Sequence, residues 1–548
     1  MIPWLALGIS DAFKDRGDDF YLAESGHLSN EYLIDTLAGF GGGWWGFLLE
    51  SVGVVGEWWG LHMKTAQFLS LLAVSLCSWS LEGQAEDYVA QTFSGEGGKT
   101  LGYRLLAPAK MEEGKKYPLV LFLHGAGERG SDNGAQLKHG ASLFLKAEVR
   151  EKFPCFVLAP QCPNGQTWSE VKGWTGPSAY SGEPTEVMRL VMGALALTIK
   201  EQPVDGERIY VTGLSMGGYG SWDLLARYPE RWAGVAPVCG GGDAGKIGVG
   251  KGVAVWAFHG VNDPTVPVIR SREMVAALVA AGGKPLYSEY PYVKHDAWTQ
   301  AYGEPEFLRW LFAQKRGEKV VPFEKVAGGL AQPPSNLCPG VGPMQSGLWF
   351  RGLWGKRREM WEKDRVKDEG AVVFFGDSIT QGWEKLGEAF PKWKVANRGI
   401  SGDTSRGLLT RVEGDVLAVH PKAVVILIGT NDLDQGGTPE EVLANVKGLV
   451  GILRKADGRM PIVVNAVMPR GGKGGLFPEK IVGLNGMLVE AFKGDERVTF
   501  CDTFGLFDAG NGQSKREEFP DMLHPNGAGY EKWAGALGPI FEKWELGK

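Results

Sequence analysis

At 548 residues the chain is too long for one ordinary domain, and two or three are expected. Hydrophobic residues make up 44% and charged residues 22%, a soluble globular composition, and a net charge of −6 leaves no basic footprint for nucleic acid. The six cysteines (Cys77, Cys155, Cys162, Cys239, Cys338, Cys501) include no C-x-x-C pair and no zinc spacing, so neither a metal nor a cofactor is expected. Cys155 and Cys162 are spaced to bridge in an exported chain, or else serve as small buried apolar groups.

Residues 1–62 carry Gly39-Phe-Gly-Gly-Gly-Trp-Trp45 and Gly56-Glu-Trp-Trp-Gly60 without a sustained period. Met63-Lys64 then opens an apolar run to Cys77, followed by Gly83-Gln-Ala85 with small residues at −3 and −1 of a cleavage point. Residues 63–85 therefore read as a secretory signal peptide, too short for a membrane span. Translation is expected to start at Met63, with residues 1–62 a spurious or disordered extension and the mature chain beginning near Glu86. The location expected is secreted or periplasmic, with no stable membrane insertion after cleavage. Leu76 stands where a lipid-anchor site at Cys77 would want a small residue.

From Glu86 elements alternate. Tyr88–Phe93 and Leu101–Leu106 read as a hairpin. Strand patterns follow at Tyr117–Leu123, Cys155–Ala159, Arg208–Thr212, Gly234–Val238, Val253–Phe258 and Leu286–Tyr290. Helical patterns lie at Thr185–Lys200, Ser221–Tyr228 and Ser271–Ala281, which together predict a mostly parallel sheet in a domain over 86–318. Residues 319–349 are rich in Pro and Gly without periodicity and read as a linker. A polar helix over 356–367 opens a second α/β domain, 350–548. Its strands are expected at Ala371–Phe375, Trp393–Asn397, Ala423–Ile428, Pro461–Val467 and Val498–Asp502. Its helices are expected near Pro439–Arg454, Lys480–Lys493 and Gly527–Leu537.

Chemistry first appears at Gly213-Leu-Ser215-Met-Gly217, between a β-branched run and a helical pattern. With 81 glycines, roughly half a match to G-x-S-x-G is expected by chance, so the strand–turn–helix context carries the reading of Ser215 as a nucleophile. A serine needs an imidazole to take its proton and a carboxylate to orient that imidazole. Only His259 and His295 lie between Ser215 and the linker. His295, in a loop after the last strand, is the expected base, and Asp263, beyond a strand, the acid. His259 is read as a structural residue bonded to the loop that holds Asp263. Oxyanion donors are expected from the backbone of Met216 and of Gly125 and Ala126, which follow His124. Trp168, Trp174, Tyr180 and Trp298 are candidates to stack on a sugar or aromatic ring, or to pack.

The segments HGAGERG (124–130), APQCP (159–163), GLSMGGYGSW (213–222), HGVNDPTVP (259–267) and KHDAW (294–298) resemble the α/β-hydrolase superfamily over about 88–315. The likeness is to secreted esterases akin to feruloyl esterases, polyhydroxybutyrate depolymerases and dienelactone hydrolases. Some members are peptidases, so these motifs leave the bond cleaved open.

A second serine follows a buried run in Phe375-Gly-Asp377-Ser378-Ile-Thr380, and downstream lie Gly402, Asn431 and Asp521-Met-Leu-His524. Only His420 and His524 come after Ser378, and His420 precedes a proline ahead of a strand, a poor place for a base. An Asp521–His524 pair three residues apart can face one serine. The blocks GDSIT, NRGISGDTS, GTND and DMLHPN resemble the SGNH, or GDSL-like, hydrolases over about 350–548, in a flavour similar to platelet-activating-factor acetylhydrolase catalytic subunits and carbohydrate acetylesterases. The resemblance implies a three-layer α/β/α sandwich with a parallel sheet. It also implies Ser378 as nucleophile, His524 as base oriented by Asp521, and Gly402 and Asn431 as oxyanion donors. The fold class expected is α/β throughout, an α/β-hydrolase fold followed by an SGNH sandwich. The expected function is a bifunctional serine esterase acting on an esterified polysaccharide or small ester. Rival readings are a lipid or acetyl-phospholipid esterase, and one catalytic domain beside a non-catalytic polysaccharide-binding domain.

Overall fold

Thirteen strands in two sheets organise the described residues of the computed structural model, which are 87–471 and 478–544. These lie within one compact unit. The extension 1–62, the signal peptide 63–85 and Cys77 lie outside the described residues.

The first sheet contains β1 (Tyr88–Ser94), β2 (Thr100–Leu106), β3 (Tyr117–Leu123), β4 (Phe156–Pro160), β5 (Val204–Leu214), β6 (Gly234–Val238), β7 (Ala254–Gly260) and β8 (Leu286–Tyr290). Their order is β1-β2-β4-β3-β5-β6-β7-β8, antiparallel from β1 to β4 and parallel thereafter. Every residue of β3 is buried, because both faces of the sheet are covered. Leu119, Leu121 and Leu123 meet one core, with Met188, Val191 and Leu195 of α1 (Glu186–Glu201). Val120 and Phe122 meet the opposite core, built around Trp256, Phe258 and Trp310. The Thr185 hydroxyl caps α1 by accepting from the Met188 amide, which sets the helix start.

Helices α2 (Met216–Arg227), α3 (Ile269–Ala280) and α4 (Ala297–Gly303) follow in this half, with shorter stretches of helix over Ala147–Lys152, Phe307–Ala313 and Phe323–Ala327. Helix α2 starts five residues before the expected Ser221, since its glycine-rich first turn packs tightly against the end of β3. The Cys155–Cys162 bridge does not form. Both thiols are free and buried, and they belong to the two different cores on opposite faces of the sheet. Burial pushes each thiol up to about 12, so both stay protonated.

Residues 319–349 are pinned through their middle, at 335–342, to both halves. Asn336 accepts from the Tyr287 amide at 2.8 Å and donates to Pro285 O at 2.7 Å, covering the open edge of β8. On the other side the Arg406 guanidinium donates to the carbonyls of Ser335, Cys338, Pro339 and Gly342. Asn445 exchanges bonds with the backbone of Val341 at 3.0 and 2.8 Å.

Helix α5 (Leu348–Asp364) starts eight residues before the expected position 356. Gly352 and Gly355 obscure its pattern, yet Phe350, Trp354 and Trp361 form a buried stripe along it. The second sheet follows: β9 (Val372–Gly376), β10 (Val395–Gly399), β11 (Ala423–Leu427), β12 (Ile462–Asn465) and β13 (Val498–Cys501), ordered β10-β9-β11-β12-β13 and parallel throughout. Helices α6 (Ser378–Gln381), α7 (Ser405–Asp415), α8 (Thr430–Asp434), α9 (Pro439–Ala456), α10 (Pro478–Phe492) and α11 (Gly527–Lys543), with short turns of helix over Leu386–Ala389 and Thr503–Phe507, complete this half. The α9 start is written in the sequence as Thr438-Pro-Glu-Glu441, a capping box with proline in the first turn. Helices α9 and α10 cover one core and α11 the other, giving three layers with a central parallel sheet. Among the described residues no helix is long and apolar enough to cross a membrane.

Candidate active sites

Ser215 is the single residue between β5 and α2, and its backbone sits at φ 52°, ψ −115°. A non-glycine residue there costs about 1–3 kcal/mol and is held only where the surroundings leave no alternative. The flanking glycines supply that constraint. A Cβ on Gly213 would lie 2.5 Å from Gly217 O, and one on Gly217 would fall far inside contact with Leu123 O. The Ser215 amide donates to Val238 O at 2.9 Å, so the turn is also tied to the neighbouring strand.

The loops after β7 and β8 bring in the partners. His295 Nε2 accepts from Ser215 Oγ at 2.9 Å, and His295 Nδ1 donates to Asp263 Oδ2 at 2.7 Å. Asp263 Oδ1 is occupied by the amides of Thr265 and Val266, leaving Oδ2 for the imidazole. Burial pushes the Asp263 carboxyl up, but hydrogen bonds from His259, His295 and the Val266 amide outweigh it and hold it well below the carboxylate range. His259 is fully buried, bonded through Nε2 to Val266 O at 2.8 Å and through Nδ1 to Ser271 Oγ at 2.7 Å, and lies 3.3 Å from Asp263 Oδ2.

Met216 opens α2, so its amide has no intrahelical acceptor. Gly125 and Ala126 follow β3, where a Cβ on Gly125 would lie 2.8 Å from the Leu214 side chain. His124 Nε2 accepts from the Cys162 amide at 2.9 Å, so Nδ1 carries the proton and donates to Gly125 O at 2.6 Å. That bond fixes the plane of the Gly125–Ala126 peptide and turns the Ala126 amide away from the imidazole. Burial lowers His124 to about 4, keeping it neutral.

The aromatic candidates separate. Trp168 is 0% exposed, donates Nε1–H to His124 O at 3.0 Å and packs on that imidazole, so it is a core residue and not a ligand platform. Tyr180 is likewise buried, its ring under the Arg227 guanidinium. Trp174 is half-buried against Tyr219 of α2, and its carbonyl accepts from that hydroxyl at 2.8 Å. Trp298 stands beside the base, its ring 5.4 Å from that of His295. One neighbour was not anticipated. Cys239, following β6 at φ 40°, brings its sulfur within 4.8 Å of Asp263 and His295 donor atoms. Burial raises this thiol well above its usual value, so it packs as a neutral wall.

In the second half Ser378 opens α6 directly after β9, where the Asp377 carboxylate caps the turn through the Ile379 amide at 2.9 Å. His524 Nε2 accepts from Ser378 Oγ at 2.9 Å and Nδ1 donates to Asp521 Oδ2 at 2.6 Å. Asp521 Oδ1 accepts from the amides of Leu523 and His524; despite the opposing effect of burial, these bonds hold the carboxyl below its usual range. Gly402 turns at φ +82°, and Asn431 Nδ2 donates to Asp403 O at 2.9 Å, joining the loops of the two expected oxyanion donors. His420 is exposed and paired with Glu369.

A buried polar frame beneath this site was missed. Arg411 is fully buried and donates to Asp403 at 2.8 Å, to Arg398 O at 2.9 Å and to Gly376 O at 3.0 Å, tying the nucleophile strand to the Gly402 loop. Asp432 accepts from both the amide and hydroxyl of Ser405. Burial pushes Asp377 and Asp432 up to about 7 and Asp403 to about 6, with mutual repulsion adding to the effect. Asp403 and Asp432 stand inside the NRGISGDTS and GTND blocks, so their positions were visible and their role was not.

Two halves, each aligning hydroxyl, imidazole and carboxylate at the C-terminal edge of a parallel sheet, define a serine ester hydrolase. A family model described as "GDSL-like Lipase/Acylhydrolase family" matches residues 374–532. Platelet-activating factor acetylhydrolase IB subunit alpha1 of Bos taurus is 30% identical over 190 residues, 34% of this chain and 81% of that protein. Human platelet-activating factor acetylhydrolase IB subunit alpha2 is 30% identical over 183 residues, 33% of this chain and 79% of that protein. A solved thermostable esterase is 39% identical with a TM-score of 0.40, covering 42% of this chain and 64% of that one. The chain belongs to the GDSL-like lipase/acylhydrolase family.

Proposed function

We propose that the chain is a secreted bifunctional carbohydrate esterase, with an α/β-hydrolase domain over 86–318 and an SGNH domain over 350–548. The SGNH domain removes acetyl groups, and the first domain cleaves bulkier, feruloyl-type esters, from one polysaccharide. The observation that carries this reading is the pair of complete relays, each with its serine hydroxyl 2.9 Å from an imidazole. In each, Ser215 or Ser378 adds to the ester carbonyl while His295 or His524 takes its proton. The carbonyl oxygen becomes an oxyanion held by the Ala126 and Met216 amides, or by the Gly402 amide and the Asn431 side chain. The imidazolium then protonates the departing sugar alkoxide, leaving an acyl-enzyme. Water adds to the acyl carbon, giving up a proton to the same imidazole, and carboxylic acid and free serine are released. Two active sites held on one chain raise the local concentration of the second ester once the first is engaged, which suits a polymer carrying several acyl groups.

A second reading is favoured by the names of the relatives, which are platelet-activating factor acetylhydrolase subunits: the SGNH domain would then deacetylate an acetyl-phospholipid. p-Nitrophenyl acetate, methyl ferulate, acetylated xylan and an acetyl-phospholipid, given to Ser215→Ala, Ser378→Ala and the double variant, separate these readings. Ser378→Ala is expected to abolish release of acetate from xylan, and Ser215→Ala to abolish methyl ferulate hydrolysis. A single variant that loses nothing on any substrate overturns the catalytic role of its domain, and turnover of the phospholipid alone selects the second reading. N-terminal sequencing of the exported protein tests the secretion proposal, which requires a start near Glu86.

A further inference from the structure

We propose that Trp349 is a substrate-binding residue of the second site, a platform for the face of the sugar ring that bears the acyl group. The proposal rests on reading that site as a deacylase of polysaccharides. Trp349 occupies the first turn of α5 and is 58% exposed, the most open tryptophan among the large exposed apolar side chains. Its place gives that exposure meaning. A Cβ built on Gly402 would lie 2.6 Å from Trp349 Cη2, so the edge of the indole rests against the residue whose amide faces the oxyanion. The Gly402 turn, at φ +82°, and the absence of any side chain there let the ring come this close.

The ring is mounted rigidly although it is open. Phe350, next in sequence, is fully buried beside Trp354 and Ile400, and its ring centroid lies 5.7 Å from that of Trp349. The Leu348 amide donates to Gln300 Oε1 of α4 at 2.9 Å. Arg351 pairs with Glu304 at 3.0 Å and donates to Ser346 O and Gln332 O, all in buried surroundings. The helix end that carries the indole is thus clamped by the loop-and-helix segment of the first half that begins just after His295. A rigid, flat, apolar face loses little entropy on binding, and such faces suit the C–H side of a pyranose or an aromatic aglycone. Trp349 also lies outside residues 374–532, so this wall is supplied to the shared catalytic core by the segment joining the two halves.

The experiment uses the full chain. In the Ser215→Ala background, which isolates the second site, Trp349→Ala is expected to raise KM for acetylated xylo-oligosaccharides about tenfold, with kcat changed far less and Trp349→Phe recovering most of the loss. In the Ser215→Ala/Ser378→Ala protein, calorimetric binding of the same oligosaccharides should weaken by a similar factor on adding Trp349→Ala. Unchanged KM and unchanged binding overturn the platform while leaving deacetylation of xylan intact. A fall in kcat at constant KM also overturns it, because that pattern marks a disturbed Gly402 loop. Were wild type to cleave p-nitrophenyl acetate but neither bind nor deacetylate the glycan, the polysaccharide reading itself would fall, a result distinct from the first two.

Discussion

The two relays have nearly the same bond lengths and very different surroundings. In the first, the Asp263 side chain is 0% exposed and that of His295 23%; in the second, Asp521 is 55% exposed and His524 41%. The first draws its members from three separate strand ends, so its carboxylate is enclosed by the fold. The second carries acid and base on one turn, and places its buried carboxylates, Asp377, Asp403 and Asp432, below the serine instead. The same reaction geometry is therefore held by enclosure in one half and by a rigid polar floor in the other. Electrostatic contributions should differ accordingly, because a hydrogen-bonded charge acts more strongly away from water.

The largest effects fall on the nucleophiles. Ser215→Ala and Ser378→Ala should each reduce their own activity by about 10⁵–10⁶-fold, leaving the other half near wild type. Initial rates on p-nitrophenyl acetate and methyl ferulate check this, and loss of both activities in one single variant would mean that the halves do not act as separate sites. Next come the acids, which sharpen the comparison. Asp263→Asn should cost about 10³–10⁴-fold in kcat, since an amide whose oxygen keeps the Thr265 and Val266 bonds turns its NH2 toward His295 and forces the wrong tautomer. Asp521→Asn should cost less, about 10–100-fold, because water reaches the imidazole and screens the loss. Equal losses would show that enclosure of the carboxylate carries no weight.

How far this contrast could be read from sequence depends on what each residue's position is set by. Both serine turns were legible because local sterics dictate them; glycine is required where a Cβ would meet the next strand, as at Gly213 and Gly217. The bases were reached by elimination among eight histidines. Whether Trp168 stacks on a ligand or packs stayed open in the sequence because its burial depends on Gly220, fifty-two positions away, where a Cβ would lie 2.8 Å from the tryptophan. The segment 319–349 reads as a Pro/Gly-rich linker, and its anchors were not legible because Arg406 and Asn445 lie more than sixty residues downstream. Helix α7 was passed over since its interior mixes glycine with charge, and Arg411 is buried only once Asp403 and the Gly376 and Arg398 carbonyls surround it.

The seat between the halves contains a titrating group. Glu304 is buried beside Arg351, and burial pushes its carboxyl up to about 7 against the pull of that guanidinium. A carboxyl raised in the folded state holds its proton where the unfolded chain, at about 4.3, has released it. Its contribution to stability is therefore complete below about pH 4 and is lost as pH rises through about 7. Thermal unfolding should show a Tm that falls between about pH 4 and pH 7 and levels off above, and Glu304→Gln, which matches the protonated carboxyl, should flatten that slope with little change in Tm below about pH 6. An unchanged slope in the variant would remove Glu304 as its origin.

The smallest effect tests whether the halves communicate. Tyr292, three residues before His295 and at φ 61°, donates its hydroxyl to Asp434 Oδ2 at 2.7 Å. Asp434 lies one turn after Asn431, and its other oxygen accepts from Arg470 at 3.1 Å. Gly471, next to that arginine, donates its amide to Met522 O at 2.9 Å, within the loop that holds Asp521 and His524. One phenol thus connects the base loop of the enclosed relay with both the donor and base loops of the open one. Tyr292, Asp434 and Arg470 are partly exposed, so the contribution is small: Tyr292→Phe should lower second-site kcat about two- to fivefold. The first site should change less, because Asp263 and the β8 turn hold His295 without this contact. If second-site kcat stays at the wild-type value while the first falls, the bond serves only to steady the Tyr292 turn, and the two relays work side by side without a mechanical link.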